Sequence, residues 1–218
     1  MTKIKLVVFD MDGTLLQERS CWNHIHQHFG IDNKEMLQMY MEHKINDQEF
    51  AESDIRLWEQ SSDIHINEAY INSILDEIEP IDGAEDLIQS LHQKGIQTVI
   101  LSGGIKYLAV KWAEKWNMME AIANHLIDDE NGNLQVVIEA SGHAKGPIMD
   151  ALLERLNVSK DEVAAVGDTV VDIPLFERAG LGIAVNTNDQ RVIDEADYHL
   201  KEKNLRNLIP VITKLVKN

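Results

Sequence analysis

Apolar residues fall along the chain in two patterns, short unbroken blocks and longer segments with helical spacing. The first block is Ile4 with Leu6, Val7, Val8 and Phe9, and it ends in Asp10-Met11-Asp12-Gly13-Thr14. A block without polar alternation predicts a strand buried on both faces, as at the centre of a parallel sheet. Similar blocks at residues 97–101, 163–166 and 182–185 end in Ser102-Gly103-Gly104, Gly167-Asp168 and Asn186. Between them the spacing predicts helices over about 84–94, 105–117, 147–156, 173–179 and 189–196. Strands alternating with helices of this length predict βα units, an α/β fold whose parallel sheet is flanked by helices.

One stretch breaks the alternation. Residues 20–79 hold no proline and no strand block, only four helical patterns over about 22–29, 34–43, 47–60 and 68–78. Asp32 with Glu35 and Asn46 with Glu49 have capping-box spacing, which predicts two helix starts. The segment is expected to form a small helical-bundle domain over 16–79, inserted into a core made of 1–15 and 80–218. A second, smaller insertion is expected at about 126–140, where Asn131-Gly132 between two apolar runs predicts a hairpin.

Composition narrows the function classes. With 20 Lys+Arg against 37 Asp+Glu the 218-residue chain carries a net charge of −17 and no basic cluster, which disfavours nucleic acid and anionic membrane partners. The single cysteine, Cys21, excludes an intramolecular disulfide and a multi-cysteine zinc site. No segment approaches the roughly 20 apolar residues of a membrane span and the N-terminus does not have the pattern of a signal peptide, so a cytoplasmic protein is expected.

In open α/β sheets, ligands bind beyond the carboxyl ends of the strands. There the sequence places Asp10 and Asp12, Ser102, and Asp168 with Asp172, while Lys145 opens a helix through Lys145-Gly146-Pro147. Carboxylates converging on one edge repel one another unless a cation lies between them, and an all-oxygen donor set favours magnesium. Ser102, a helix N-terminus near Gly103 and the Lys145 ammonium together suit a phosphoryl group. Asp10 is then placed as a nucleophile, and Asp12 as the group that protonates the leaving oxygen and later deprotonates water. Departure of a halide would need no such proton, so Asp12 favours a phosphate ester over an organohalide.

The motif Asp10-Met11-Asp12-Gly13-Thr14, Ser102 after an apolar strand, Lys145-Gly146, and Gly167-Asp168 with Asp172 occur in the order of the four motifs of the haloacid dehalogenase-like superfamily. The chain resembles that superfamily over nearly its whole length. Within it, Leu101-Ser102-Gly103-Gly104 and the run Asp172-Ile173 to Gly180-Leu181 resemble the phosphoserine phosphatase-like branch. The resemblance implies a Rossmann-like core with a helical cap, and hydrolysis of a small phosphorylated metabolite through an aspartyl phosphate on Asp10. It implies magnesium held by Asp10, the Asp12 carbonyl and Asp168, with Asp172 and Thr14 in support. Ser102, Gly103 and Lys145 would hold the phosphoryl oxygens. Glu18 and Arg56, each one position from the branch's usual spacing, are the candidates for contacts to an amino-acid substrate. The fourth motif reads Gly167-Asp168-Thr169-Val170-Val171-Asp172 where phosphoserine phosphatases usually have Gly-Asp-Gly-x-Asn-Asp. A phosphotransferase or phosphomutase using the same intermediate, and a regulatory module that binds a phosphometabolite without turnover, are the alternatives. A monomer or homodimer is expected.

Of three further features, two read as structural. Cys21, His24 and His28 share a helical stripe with metal-ligand residue types, but adjoin the apolar Trp22, Ile25 and Phe29, which makes them the wet side of a helix. His26 is a second candidate for the mouth of the site. Trp112 and Trp116, four apart, are expected to pack into the core.

Overall fold

The computed structural model describes residues 3–141 and 144–214. Its centre is a seven-stranded sheet in the order β4-β3-β2-β1-β5-β6-β7. In chain order the strands are β1 (Leu6–Phe9), β2 (Gln97–Ile105), β3 (Glu120–Asp128), β4 (Leu134–Val137), β5 (Val163–Gly167), β6 (Leu181–Val185) and β7 (Tyr198–Leu200). All neighbours are parallel except β3 and β4. β1 lies between β2 and β5, with Phe9 opposite Ile100 and Val166, so Asp10 leaves the sheet at its middle.

Strand residues alternate between two cores, as the two-residue period of a strand requires. Val7, Phe9, Ile100, Val166 and Ile183 join one buried cluster, and Leu6, Val8, Val99, Leu101 and Ala165 the other. The first is covered by α5 (Ala84–Gln93) and α6 (Lys106–Lys115) through Leu87, Ile88, Leu91, Leu108 and Trp112. The second is covered by α7 (Lys145–Leu156), α8 (Ile173–Phe176) and α9 (Gln190–Glu195) through Met149, Leu152, Phe176 and Val192. The chain continues into α10 (Ile209–Thr213). Trp112 and Trp116 pack in the first core with ring centroids 4.9 Å apart.

Between β1 and α5 the chain forms α1 (Cys21–Phe29), α2 (Lys34–Met41), α3 (Asp47–Gln60) and α4 (Glu68–Leu75). Asn46 and Glu49 close the expected capping box, each side chain taking the other's backbone N–H at 2.9 Å. The Asp32–Glu35 capping box does not form: α2 starts after Asn33, Asp32 accepts from the N–H and the ammonium of Lys34, and the Asn33 amide turns to Ser53 and Asp54. Ile25, Ile55, Trp58, Ile71 and Leu75 extend the first buried cluster into these helices. α2 contributes no buried residue, and leaves Leu37 and Met41 46% and 60% exposed.

The hairpin forms, with Asp128 opposite Leu134 and Gly132 at φ 82° in its turn. Its first strand begins at Glu120, earlier than expected, and adds to β2 in parallel. Ala121, Ala123 and Asn124 have weak strand propensity and conceal it in the sequence. β7 escapes prediction for a similar reason, being three residues long.

Candidate active site

The site lies beyond the carboxyl ends of β1, β2 and β5. Asp10 directly follows β1, Asp168 directly follows β5, and Asp172 ends the 3-10 turn Val170–Asp172. One carboxylate oxygen from each of the three lies within 4.8 Å of the others. Lys145, the first residue of α7 and 1% exposed, donates to Asp10 Oδ1 and to Asp172 Oδ1, each at 2.6 Å. With the helix starting at Lys145, Pro147 is its third residue rather than its first. Asp172 directly precedes α8 but does not cap it. Its side chain points back instead, and Oδ2 accepts from the N–H groups of Asp168 and Thr169 at 3.0 Å and from Thr169 Oγ1.

Asp168 receives only the Thr14 hydroxyl, at 3.2 Å on Oδ1, and its buried Oδ2 has no partner among the described residues. Gly13 turns the chain against it at φ +72°, and a Cβ there would stand 2.4 Å from Asp168 Oδ2. Asp12 Oδ2 accepts the N–H of Cys21 at 2.8 Å, while its Oδ1 is buried and unpartnered among the described residues. That amide belongs to the first turn of α1, whose start Ser20 caps by accepting from Asn23 N at 3.2 Å. The signal was present in the sequence, a serine just ahead of a helical pattern, yet it does not reveal that the helix start is docked on Asp12.

Four carboxylates face one ammonium here, and burial is the largest influence on the titration of Asp10, Asp12 and Asp168. Burial raises Asp168 to about 8, helped by the charges of Asp10 and Asp172. Burial also raises Asp10, to about 7, against the opposing pull of Lys145. Asp12 is raised by burial as well, partly offset by the Cys21 amide. For Lys145 burial acts downward, but Asp10 and Asp172 outweigh it and the ammonium is held well into its charged form. Excess buried negative charge with orphaned oxygens on Asp12 and Asp168 is the condition a hard cation relieves. Asp10 and Asp168 retain oxygens for a metal, whereas both oxygens of Asp172 are engaged.

β2 differs from the expectation at its end. It carries Ser102, Gly103 and Gly104 within the strand, its register against β3 shifts between Leu101 and Ile105, and α6 starts only at Lys106. The helix N-terminus therefore does not lie at Gly103. A bulge of this kind re-aims residues at a strand end, and here Ser102 Oγ accepts from Gly104 N at 3.1 Å. Gly104 is crowded: a Cβ would stand 2.6 Å from Met11 Cε and 3.1 Å from Asp12 Oδ2. The Gly103 carbonyl accepts from Trp22 Nε1 at 3.2 Å and Asn124 Nδ2 at 2.9 Å. Asn124, which no sequence pattern singled out, also binds the N–H groups of Glu139 and Ala140.

A cavity of about 450 Å³ opens between the helical segment and this edge, reaching Ser20, Gly103 and Val171. Those three adjoin Cys21, Ser102 and Asp172 in the chain. His26 lines the cavity, and so do Asn33 and Asp54, which the sequence did not single out. Glu18 and Arg56 are not among its lining residues. Glu18 lies 3.5 Å from His24 Nδ1, and Arg56 has a side chain 56% exposed and reaches Glu52 at 3.8 Å. Cys21, His24 and His28 do not converge: the first is buried, the second faces Glu18, and the third meets Tyr70 at 3.1 Å.

Residues 4–180 match the model of a hydrolase family, haloacid dehalogenase-like hydrolase. The chain is 30% identical over 219 residues to a phosphoserine phosphatase of Archaeoglobus fulgidus, covering 95% of this chain but only 60% of that relative's length. It is 28% identical to a phosphoserine phosphatase of Methanocaldococcus jannaschii, covering 96% of this chain and 98% of the relative. A solved phospho-aspartyl intermediate analogue of phosphoserine phosphatase superposes with a TM-score of 0.79 at 28% identity, over 97% of this chain and all of the other. None of the helices among the described residues is long and apolar enough to cross a membrane.

Proposed function

The chain belongs to the haloacid dehalogenase-like hydrolases, and we propose that it hydrolyses a small phosphomonoester through an aspartyl phosphate on Asp10. The observation that carries this reading is the pairing of Asp10 with Lys145 beside the orphaned oxygen of Asp168. A carboxylate held by an ammonium at a strand end is a positioned nucleophile, and the adjoining carboxylate needs a cation.

Asp10 attacks phosphorus and the bond to the leaving oxygen breaks. Asp12 gives that oxygen a proton, which its burial and upward-shifted titration favour. Asp12 then takes a proton from water, whose oxygen attacks the aspartyl phosphate and releases phosphate with Asp10 restored. Lys145 and Ser102 hold the phosphoryl oxygens with the Gly103 amide, and Asp172 keeps Lys145 in place. Magnesium would be held by Asp10, Asp168 and the Asp12 carbonyl, where it would neutralise charge between carboxylate and phosphate. The helices of 16–79 act as a cap over a core of 1–15 and 80–218, and the cavity between them limits the substrate to small metabolites.

Phosphate release from a panel of phosphomonoesters including p-nitrophenyl phosphate, with magnesium or chelator, tests this reading. The expected result is metal-dependent release that falls by at least about a thousandfold in Asp10→Asn. Absence of release from every ester, or an Asp10→Asn variant as active as the wild type, overturns it.

A further inference from the structure

The cavity beside the reacting groups has a chemistry of its own. Its walls carry the rings of Trp22, Tyr40 and Phe50. They also carry three carboxylates, Asp32, Asp47 and Asp54, against one lining cation, Lys34. That lysine is already committed, its Nζ lying 2.6 Å from Asp32 Oδ2. Arg56, the one arginine of α3, pairs with Glu52 outside the lining.

Asp54 is the informative member. It is 2% exposed, and its Oδ1 accepts from Asn33 Nδ2 at 2.5 Å and from His26 Nε2 at 3.1 Å. Trp58 donates its indole N–H to His26 Nδ1 at 3.0 Å. A nitrogen that accepts carries no proton, so His26 is neutral with its proton on Nε2, and it brings Asp54 no positive charge. Among the described residues, Oδ2 of Asp54 receives no hydrogen bond and no cation, and unlike Oδ2 of Asp168 it is not fully enclosed but keeps accessible surface where Asp54 lines the cavity. A carboxylate buried to this degree is costly without a counter-charge. The rings that line the same cavity are surfaces that attract cations. Trp22 links the cavity to the reacting groups, stacked on Trp58 at 5.7 Å and bonded to the Gly103 carbonyl.

We propose that the leaving group received by this cavity carries an ammonium, met by Asp54 and the aromatic rings, and bears no carboxylate. The substrate class is the phosphate esters of amino alcohols. The inference rests on the phosphatase reading above and deepens it. A carboxylate-bearing leaving group would meet three carboxylates and no uncommitted cation among the lining residues.

The test compares ω-aminoalkyl phosphates of two to six carbons with alkyl phosphates in which a methyl replaces the ammonium. Phosphoserine and p-nitrophenyl phosphate complete the set. At least one amine should be preferred over its methyl match by about tenfold or more in kcat/KM, chiefly through KM. Phosphoethanolamine should also surpass phosphoserine, which differs from it by one carboxylate. In Asp54→Asn the amine preference should collapse toward unity. Equal rates for amines and their matches at every length, phosphoserine as the best member, or an undiminished preference in Asp54→Asn overturns the proposal. The wild-type comparison decides by itself should the variant not fold. Turnover of p-nitrophenyl phosphate without amine preference defeats this inference alone, whereas no turnover of any ester defeats the phosphatase reading with it.

Discussion

Asp172 holds Lys145 with one carboxylate oxygen, Oδ1 at 2.6 Å from Nζ, and closes its own loop with the other, accepting the amides of Asp168 and Thr169 at 3.0 Å. One residue thus fixes both the ammonium and the loop bearing Asp168. Asp172→Ala should cost on the order of 3 kcal/mol of stability, since it removes a buried partner of a buried charge and orphans two amides. Urea unfolding measures it, and a loss below about 1 kcal/mol would show that Asp10 alone satisfies Lys145.

Gly13 should not tolerate alanine. At φ +72° an alanine is strained by roughly 1–2 kcal/mol, and its methyl would stand 2.4 Å from Asp168 Oδ2. Because Asp168 must move to make room, Gly13→Ala should raise the magnesium concentration needed for half-maximal activity as well as lower the melting temperature. A destabilised variant with an unchanged magnesium requirement would separate Asp168 from the metal.

Metal and pH should be coupled through stability. Burial raises Asp10 to about 7 and Asp168 to about 8 from 3.8, so between roughly pH 4 and 8 the folded chain binds more protons than the unfolded one. Stability without metal therefore falls as pH rises through that window. Lys145 is shifted upward from 10.5 and does not titrate there. In chelator the melting temperature should be lower at pH 8 than at pH 5.5, and magnesium should raise it more at pH 8. Scanning calorimetry at the two pH values checks both, and an equal effect of magnesium at each would contradict the carboxylate assignment.

The two oxygens of Asp12 have different fates, one bound to Cys21 N and one buried without a partner among the described residues. With the free oxygen as proton donor, Asp12→Asn should slow alkyl phosphates by about 10²–10⁴-fold. It should slow p-nitrophenyl phosphate much less, because that leaving group departs without protonation. Equal losses on both would assign Asp12 to metal binding or positioning only.

Sequence alone determined the parts governed by local pattern. Unbroken apolar blocks marked β1, β5 and β6, because strands buried on both faces leave no room for polar alternation. The polar residues that follow the apolar blocks of β1, β2 and β5 had to gather at one sheet edge, so Asp10, Ser102 and Asp168 were legible before any coordinates. Asn46 and Glu49 marked the start of α3, since a capping box is complete within four residues.

Tertiary structure decided whatever depends on which side of an element meets which neighbour. One residue turns a helix by about 100°, so only packing showed Arg56 leaving the cavity while Asp54, on the same helix, lines it. The bulge at Ser102-Gly103-Gly104 follows from pairing with β3, a strand of weak propensity, and it replaced the helix start expected there. The Asn33, Asp54, His26 and Trp58 chain joins α1 and α3 with the residue ahead of α2. Nothing in local spacing encodes that convergence, because each side chain meets its partner only where α1 and α3 pack against each other.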